Sequence, residues 1–389
     1  MIWANSGDSH ILEPEDVLYR ELPRDLAERM PHTEIDGDTE IVRVDGHEIR
    51  RRVPRPIEHG EYEGLTFYEA EMRPPGARDP RARLLDLDAE GIWGEVVYPS
   101  LTLWNNMITD PVLAREAAKV INNWTISEVQ AVSPRLVSTA TISLRSIDDA
   151  VAELQRAAGL GFKAVFMPTS PPAGELPYQD EHWDSLWAAA AEAHVVLSFH
   201  IGTDPVDDGS VGGGAGGFDV IKFKGRGGAV LNYMETTFTG QRAAAQLVAC
   251  GALDAHPDMK ILISEGGATW VPFLGDRMNE AYRQHSFVTQ PKLKREPKEI
   301  LYSQVYASFQ HDVSAVGAMT SMGYQNVMWG SDYPHIEGTF GHTQKTLHEL
   351  FDDVDASVRR RITVDSFLDL FPHVGQPPGD VVNEPVRVG

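Results

Sequence analysis

The chain has 389 residues, 42% of them apolar, enough to fill a core larger than that of any small disulfide-stapled fold. Its 57 acidic and 34 basic residues leave a formal charge of −23 spread along the chain, which excludes the basic surface that nucleic acid or an anionic membrane demands. A single cysteine, Cys250, excludes an intrachain disulfide, and in its apolar surroundings it reads as an inert thiol.

Residues 1–8 have neither the basic start nor the apolar core of a signal peptide, and no run reaches the ~20 apolar residues of a membrane span. Small molecules are therefore the expected partners and the cytoplasm the expected location.

In chain order, residues 2–10 read as a first strand that ends in Asp8-Ser9-His10. Residues 30–76 break the rhythm: alternation with turn signals at Asp36-Gly37-Asp38 and Asp45-Gly46 predicts an inserted β-hairpin, capping a mouth or making a subunit contact. A helix over 80–90 and a strand over 92–99 follow. Next comes a helix over 111–132, opened by Asp110 and Pro111.

The alternation continues with strand 136–142, helix 147–158 stopped by Gly159, strand 163–168, helix 180–193 and strand 195–200, which ends in His200. Residues 202–229 are glycine-rich and read as a lid loop. Helix 233–255, strand 260–265, helix 271–285, strand 305–309, helix 313–322 before Gly323, and strand 326–332 complete the pattern. Residues 373–389 read as a tail. Eight strands separated by helices predict one (β/α)₈ TIM barrel domain spanning residues 1–389.

In such a barrel the carboxyl ends of all strands meet on one face. Asp8 and His10 point the same way from the first strand, because strand side chains alternate. His200 closes the fifth strand, Glu265 the sixth and Asp332 the eighth, so all five gather at the mouth. Two imidazoles and two carboxylates without a thiolate suit one borderline divalent ion: Zn²⁺ first, with Mn²⁺ or Fe²⁺ as alternatives. A second ion would need a bridging ligand such as a modified lysine at the end of the fourth strand, and Lys163 sits at that strand's beginning.

Four stretches, in order, resemble the amidohydrolase-related family of metal-dependent barrel enzymes, in particular the branch that includes aminocarboxymuconate semialdehyde decarboxylase. They are D-S-H-I-L-E-P at 8–14, L-S-F-H at 197–200, H-P-D-M-K-I-L-I-S-E-G-G at 256–267, and W-G-S-D-Y-P-H at 329–335. The resemblance implies a mononuclear centre with Asp8, His10, His200 and Asp332 as ligands, and commonly a homodimer. Two positions depart from the family's pattern: Asp8 stands where many members have histidine, and Glu265 where many decarboxylating members have an acid/base histidine.

Two reactions are compatible with these residues. The first expectation is a hydrolase acting on a small aromatic or carboxylated substrate through a metal-activated water, with Asp332 as base and Glu265 as acid. The alternative is a metal-dependent non-oxidative decarboxylase, in which Glu265 or Asp332 protonates carbon. A metal-free binding scaffold is the third reading, and Glu265 could instead merely orient a ligand. His311, His335, Trp104 and Trp270 lie near strand ends and are candidates to line the substrate pocket.

Overall fold

The computed structural model describes residues 1–378 apart from 15, 54, 61, 101–106, 204–222 and 224. Its strands are β1 (Ala4–Ser6), β2 (His10–Ile11), β3 (His32–Asp36), β4 (Thr39–Val44), β5 (His47–Arg52), β6 (Ile92–Pro99), β7 (Leu136–Ala140), β8 (Ala164–Pro168), β9 (Val196–His200), β10 (Ile261–Ser264), β11 (Val305–Phe309) and β12 (Val327–Trp329). Eight of them form one parallel sheet in the order β1-β6-β7-β8-β9-β10-β11-β12. Sequential neighbours joined by helices are what a (β/α)₈ barrel requires.

The seam between first and last strands is drawn together by main-chain hydrogen bonds from Gly7 N–H to Trp329 O (2.9 Å) and from Asp332 N–H to Asp8 O (3.0 Å). Gly330 permits this approach, since a β-carbon there would lie 3.1 Å from that of Asp8. The predicted first strand is interrupted at residues 7–9, leaving β1, which has a register shift between Ala4 and Ser6, and β2, which pairs with β6 so that His10 sits opposite Tyr98.

Strand alternation sorts the side chains. Val96, Tyr98, Val137, Ala164, Phe166, Val196, Leu262, Tyr306 and Met328 pack together with Phe367, Phe371 and Val374, while the intervening Val97, Leu197, Ile261, Ile263, Val327 and Trp329 join the larger cluster beneath the helices. The first set fills the barrel, and the C-terminal Phe and Val side chains plug it. Among the described residues no helix is long and apolar enough to cross a membrane.

The inserted region departs from the expectation. Within residues 30–76, β3, β4 and β5 make a three-stranded antiparallel sheet rather than a two-stranded hairpin. The third strand, HEIRRR, is too charged to read as a strand from its sequence, and its pairing to β4 supplies what its composition lacks. Val44 packs against Met107, Ile108 and the helix Pro111–Trp124, so the sheet sits on the segment that leaves the carboxyl end of β6. The helix ended by Gly159 in the sequence reading runs through to Leu160, with the left-handed cap at Gly161. Helices at Pro297–Gln304 and Thr343–Phe351 join the outer layer, and Ser366–Leu370 carries Phe367 into the plug; none of the three was anticipated. The predicted lid, 202–229, falls mostly outside the described residues, as does the tail from 379 onward.

Candidate active site

The interior face of each strand carries the site. In β9, Val196 lies inside the barrel and Ser198 meets Tyr98 there, so His200 at the same parity projects into the mouth. In β12 the parity of Met328 continues through Gly330 to Asp332. Glu265 breaks the pattern. Leu262 and Ser264 face inward, so regular extension would turn Glu265 outward; instead its backbone is left-handed, with φ 63°, and brings Oε2 to 3.8 Å from His200 Nε2.

Asp332 also has positive φ, 54°. Two non-glycine residues in this region cost about 1–3 kcal/mol each, strain that a fold retains where surrounding contacts over-determine it.

The site residues converge at contact distance. His200 Nε2 lies 3.0 Å from His10 Nε2 and 3.3 Å from Asp8 Oδ1. His10 Nε2 lies 3.4 Å from Asp332 Oδ1 and 3.7 Å from Asp8 Oδ1. Asp8 and Asp332 are fully buried, His10 and His200 nearly so. Among the described residues, the carboxylate oxygens have no close donors other than the cluster's own histidine nitrogens. Buried carboxylates without donors are costly, and their neighbours here are nitrogens that themselves act as ligands.

His335, a weak candidate from sequence, is drawn fully into the cluster: its Nδ1 lies 2.8 Å from Asp332 Oδ1 and its ring stacks on His10 at 4.1 Å. Trp270 is buried beside the Glu265 turn and donates its indole N–H to Gly267 O (2.8 Å). His311 is exposed and stacked on His342 rather than joined to the ligand cluster, and Trp104 lies outside the described residues.

Electrostatics mark the same cluster. Burial opposes a charged His200, but the Asp8 and Glu265 carboxylates outweigh it and push its pKa up to about 9. Burial and the neighbouring Asp332 and Asp8 charges drive Glu265 well above the usual carboxylate range, against the pull of His200 and His335. Burial likewise raises Asp332 to about 6, although His335 opposes it. Burial and the His335, His200 and Arg83 charges depress His10. The cluster therefore favours added positive charge at its centre and shifts Glu265 toward its protonated form.

These donors fit a cation. Ligand atoms held ~2.1 Å from one ion lie about 3.0–3.4 Å from each other, close to the separations seen. His200 Nδ1 lies 2.8 Å from Ile201 O; donating there, the neutral ring leaves its lone pair on Nε2, facing the cluster. Among the described residues two triads meet the geometric requirement, Asp8-His10-His200 and His10-Asp332-His335, sharing His10.

Sequence reasoning missed three contributors. Tyr98, buried under His10 and His200, bonds Ser198 and Ser264 and forms the floor. Ser6 joins the seam by accepting from Ser331 N–H and donating to Asp8 O. Tyr233, near the start of the helix Gly228–Ala249, feels Glu265 and Asp332; burial and these charges push its hydroxyl up to about 12. Each sits in an ordinary-looking apolar or polar stretch with no motif to signal it.

A family model described as amidohydrolase matches residues 97–366, more than half of the chain. This chain belongs to the amidohydrolase family. Among solved structures, an amidohydrolase from Mycobacterium avium subsp. paratuberculosis K-10 is 21% identical, with a TM-score of 0.74 over 95% of this chain and 99% of that one. The 5-carboxyvanillate decarboxylase of Sphingomonas paucimobilis is 15% identical, with a TM-score of 0.65 over 96% and 99%. A dihydroxybenzoic acid decarboxylase from Polaromonas sp. JS666, with bound manganese and the inhibitor 2-nitroresorcinol, is 16% identical, with a TM-score of 0.60 over 97% and 98%. At these identities the likeness to the solved structures establishes the shared barrel of this amidohydrolase-family chain. None of the curated proteins compared with it matches significantly.

Proposed function

We propose that the chain is a metal-dependent, non-oxidative decarboxylase that removes CO₂ from a small aromatic carboxylic acid. Of the two reactions compatible with the sequence, this one draws the wider support. Two of the structural neighbours above are decarboxylases of aromatic acids, one with manganese bound. The observation that carries the reading is Glu265, a carboxyl turned by its left-handed backbone to within 3.8 Å of His200 Nε2 at the rim of the Asp8, His10, His200 and Asp332 cluster.

A divalent ion held by those four residues would supply the Lewis-acid charge that grips a substrate carboxylate or phenolate. Mn²⁺ suits a carboxylate-rich set at least as well as the Zn²⁺ expected from sequence. The remaining work falls to the chain itself. Glu265 gives its proton to the carbon bearing the carboxylate, the carbon–carbon bond breaks, and its electron pair returns to the ring as CO₂ leaves. Glu265 is left as a carboxylate and takes a proton from solvent to reset. Burial and the neighbouring Asp332 and Asp8 charges raise Glu265 well above the usual carboxylate range, the direction a general acid needs. Tyr98 closes the floor below the ligands, and His335 holds Asp332 while covering one face of His10.

The test is to incubate Mn²⁺-loaded protein with phenolic benzoic acids, including 2,6-dihydroxybenzoate and 5-carboxyvanillate, in D₂O and separately in ¹⁸O-water. The proposal requires CO₂ release with one deuterium at the vacated carbon and no ¹⁸O in the organic product. Incorporation of ¹⁸O into the organic product without CO₂ release would instead establish hydrolysis.

A further inference from the structure

His10 and His200 are held in different ways. His200 is oriented through its ring, because Nδ1 lies 2.8 Å from Ile201 O. The Nδ1 of His10 is buried with no hydrogen-bond partner among the described residues. Metal-bound imidazoles are normally aimed by a hydrogen bond on the second ring nitrogen. For His10 that task passes to its main chain and to ring stacking.

The main chain of His10 is gripped at both ends. Its N–H donates to Tyr333 O at 2.6 Å, and its carbonyl accepts from Arg83 Nη1 at 2.7 Å. Arg83 is wholly buried, on the helix Pro80–Glu90. Its Nε pairs with Glu95, equally buried, in β6 beside β1. The same guanidinium lies over the ring of Tyr333, 4.6 Å from the centroid, and Tyr333 follows Asp332 directly. Tyr333 in turn donates its hydroxyl to Asp86 Oδ2 on the Arg83 helix at 2.6 Å. One planar cation therefore touches the segment that presents His10 and the segment that presents Asp332. A guanidinium can do both because its donors fork in the plane while its faces remain free to stack.

We infer that Arg83, neutralised by Glu95, is a positioning residue for the metal centre: it fixes the spacing between the first-strand and eighth-strand ligands by clamping His10 O and the Tyr333 ring. The inference rests on the proposed metal site. It does not depend on which reaction that site performs. A buried pair kept only for stability is replaceable by apolar residues of similar size at little cost. A pair kept for positioning is replaceable in stability but not in metal affinity, because the segments that present His10 and Asp332 lose the cation that spans them.

The experiment compares Mn²⁺ affinity, measured by competition with a chelator, and thermal stability in the wild type and two variants. In R83M/E95M both charges are removed together, so neither is left buried alone; R83K keeps charge and bulk but loses the fork. The double variant is expected to melt near the wild-type temperature while its Mn²⁺ dissociation constant rises about 10–100-fold, the usual effect of losing a residue that orients a metal ligand. R83K is expected to lie between the two. If R83M/E95M does not fold, R83K alone decides, and a raised dissociation constant is still required. The remote pair Asp254–Arg295 serves as control: R295M is expected to lower stability without changing Mn²⁺ affinity. Wild-type affinity in both Arg83 variants would overturn the inference, as would equal weakening in R295M. A wild type that binds no Mn²⁺ at all would instead overturn the metal reading beneath it.

Discussion

Two groups of acidic residues, one at the barrel mouth and one under the inserted sheet, use the same chemistry to opposite ends. Asp45, in the turn between β4 and β5, accepts from Thr109 N–H (2.6 Å), Thr109 Oγ1 (2.7 Å), Asp110 N–H (3.0 Å) and the Arg29 guanidinium. Arg29 also pairs with Asp110, which caps the helix Pro111–Trp124. Every carboxylate oxygen of Asp45 has a donor. At the mouth, Asp8 and Asp332 are more deeply buried, and the close partners of their oxygens among the described residues are the cluster's own histidine nitrogens. An acid that is fully satisfied by its own protein holds structure together. One that is buried and left unsatisfied is waiting for something outside the chain.

The contrast is sharpest in what substitutions should do. The largest expected effect is at His200: H200A should lose both bound metal and turnover, with activity at the assay background and metal below a tenth of an equivalent by elemental analysis. Retention of a full equivalent would remove His200 from the ligand set. Next is E265Q, which should keep the metal yet lower kcat by about 10²–10⁴, the usual contribution of a general acid. Single-turnover kinetics on the metal-loaded variant checks this, and a fully active E265Q would show that Glu265 only orients its neighbours.

The Asp45 cluster should respond in the opposite sense. D45N, whose side chain tolerates the left-handed backbone at this position (φ 47°), should reduce stability by about 1–3 kcal/mol and leave kcat unchanged. Denaturant unfolding beside steady-state kinetics separates the two. The smallest effect is its pH dependence. Burial works against the charged form of Asp45, but the hydrogen bonds from Thr109, Asp110 and Arg29 outweigh it and hold its pKa below the usual aspartate range. The stabilisation is therefore present above the unfolded-state pKa, near 3.9, and is lost as pH falls through the lower folded value. The stability gap between wild type and D45N should be constant near neutrality and close only in strong acid. A gap that widens on acidification would contradict the account.

Much of this was legible in the chain. Eight β-rich runs alternating with helical stretches point to the barrel, and polar residues ending the first, fifth, sixth and eighth runs point to the mouth, because side-chain alternation and strand-end geometry are local properties. What stayed hidden depends on contacts between distant segments. Glu265 reaches the site through a left-handed backbone that no pattern of apolar residues encodes. Glu95 was the visible anomaly, a charge inside the apolar run IWGEVVYP, but its meaning required knowing that Arg83 faces it. His335 reads from sequence as a candidate to line the substrate pocket, and only the seam shows that its ring stacks on His10. β5 reads as a charged surface stretch, and only pairing to β4 makes it a strand.

The most direct measurement is the crystal structure of the protein soaked in Mn²⁺, with anomalous data collected at the manganese edge. The account predicts one strong peak between the strand ends, about 2.0–2.3 Å from Asp8, His10, His200 and Asp332. A map with no peak there, or with its strongest peak on another surface, would contradict it.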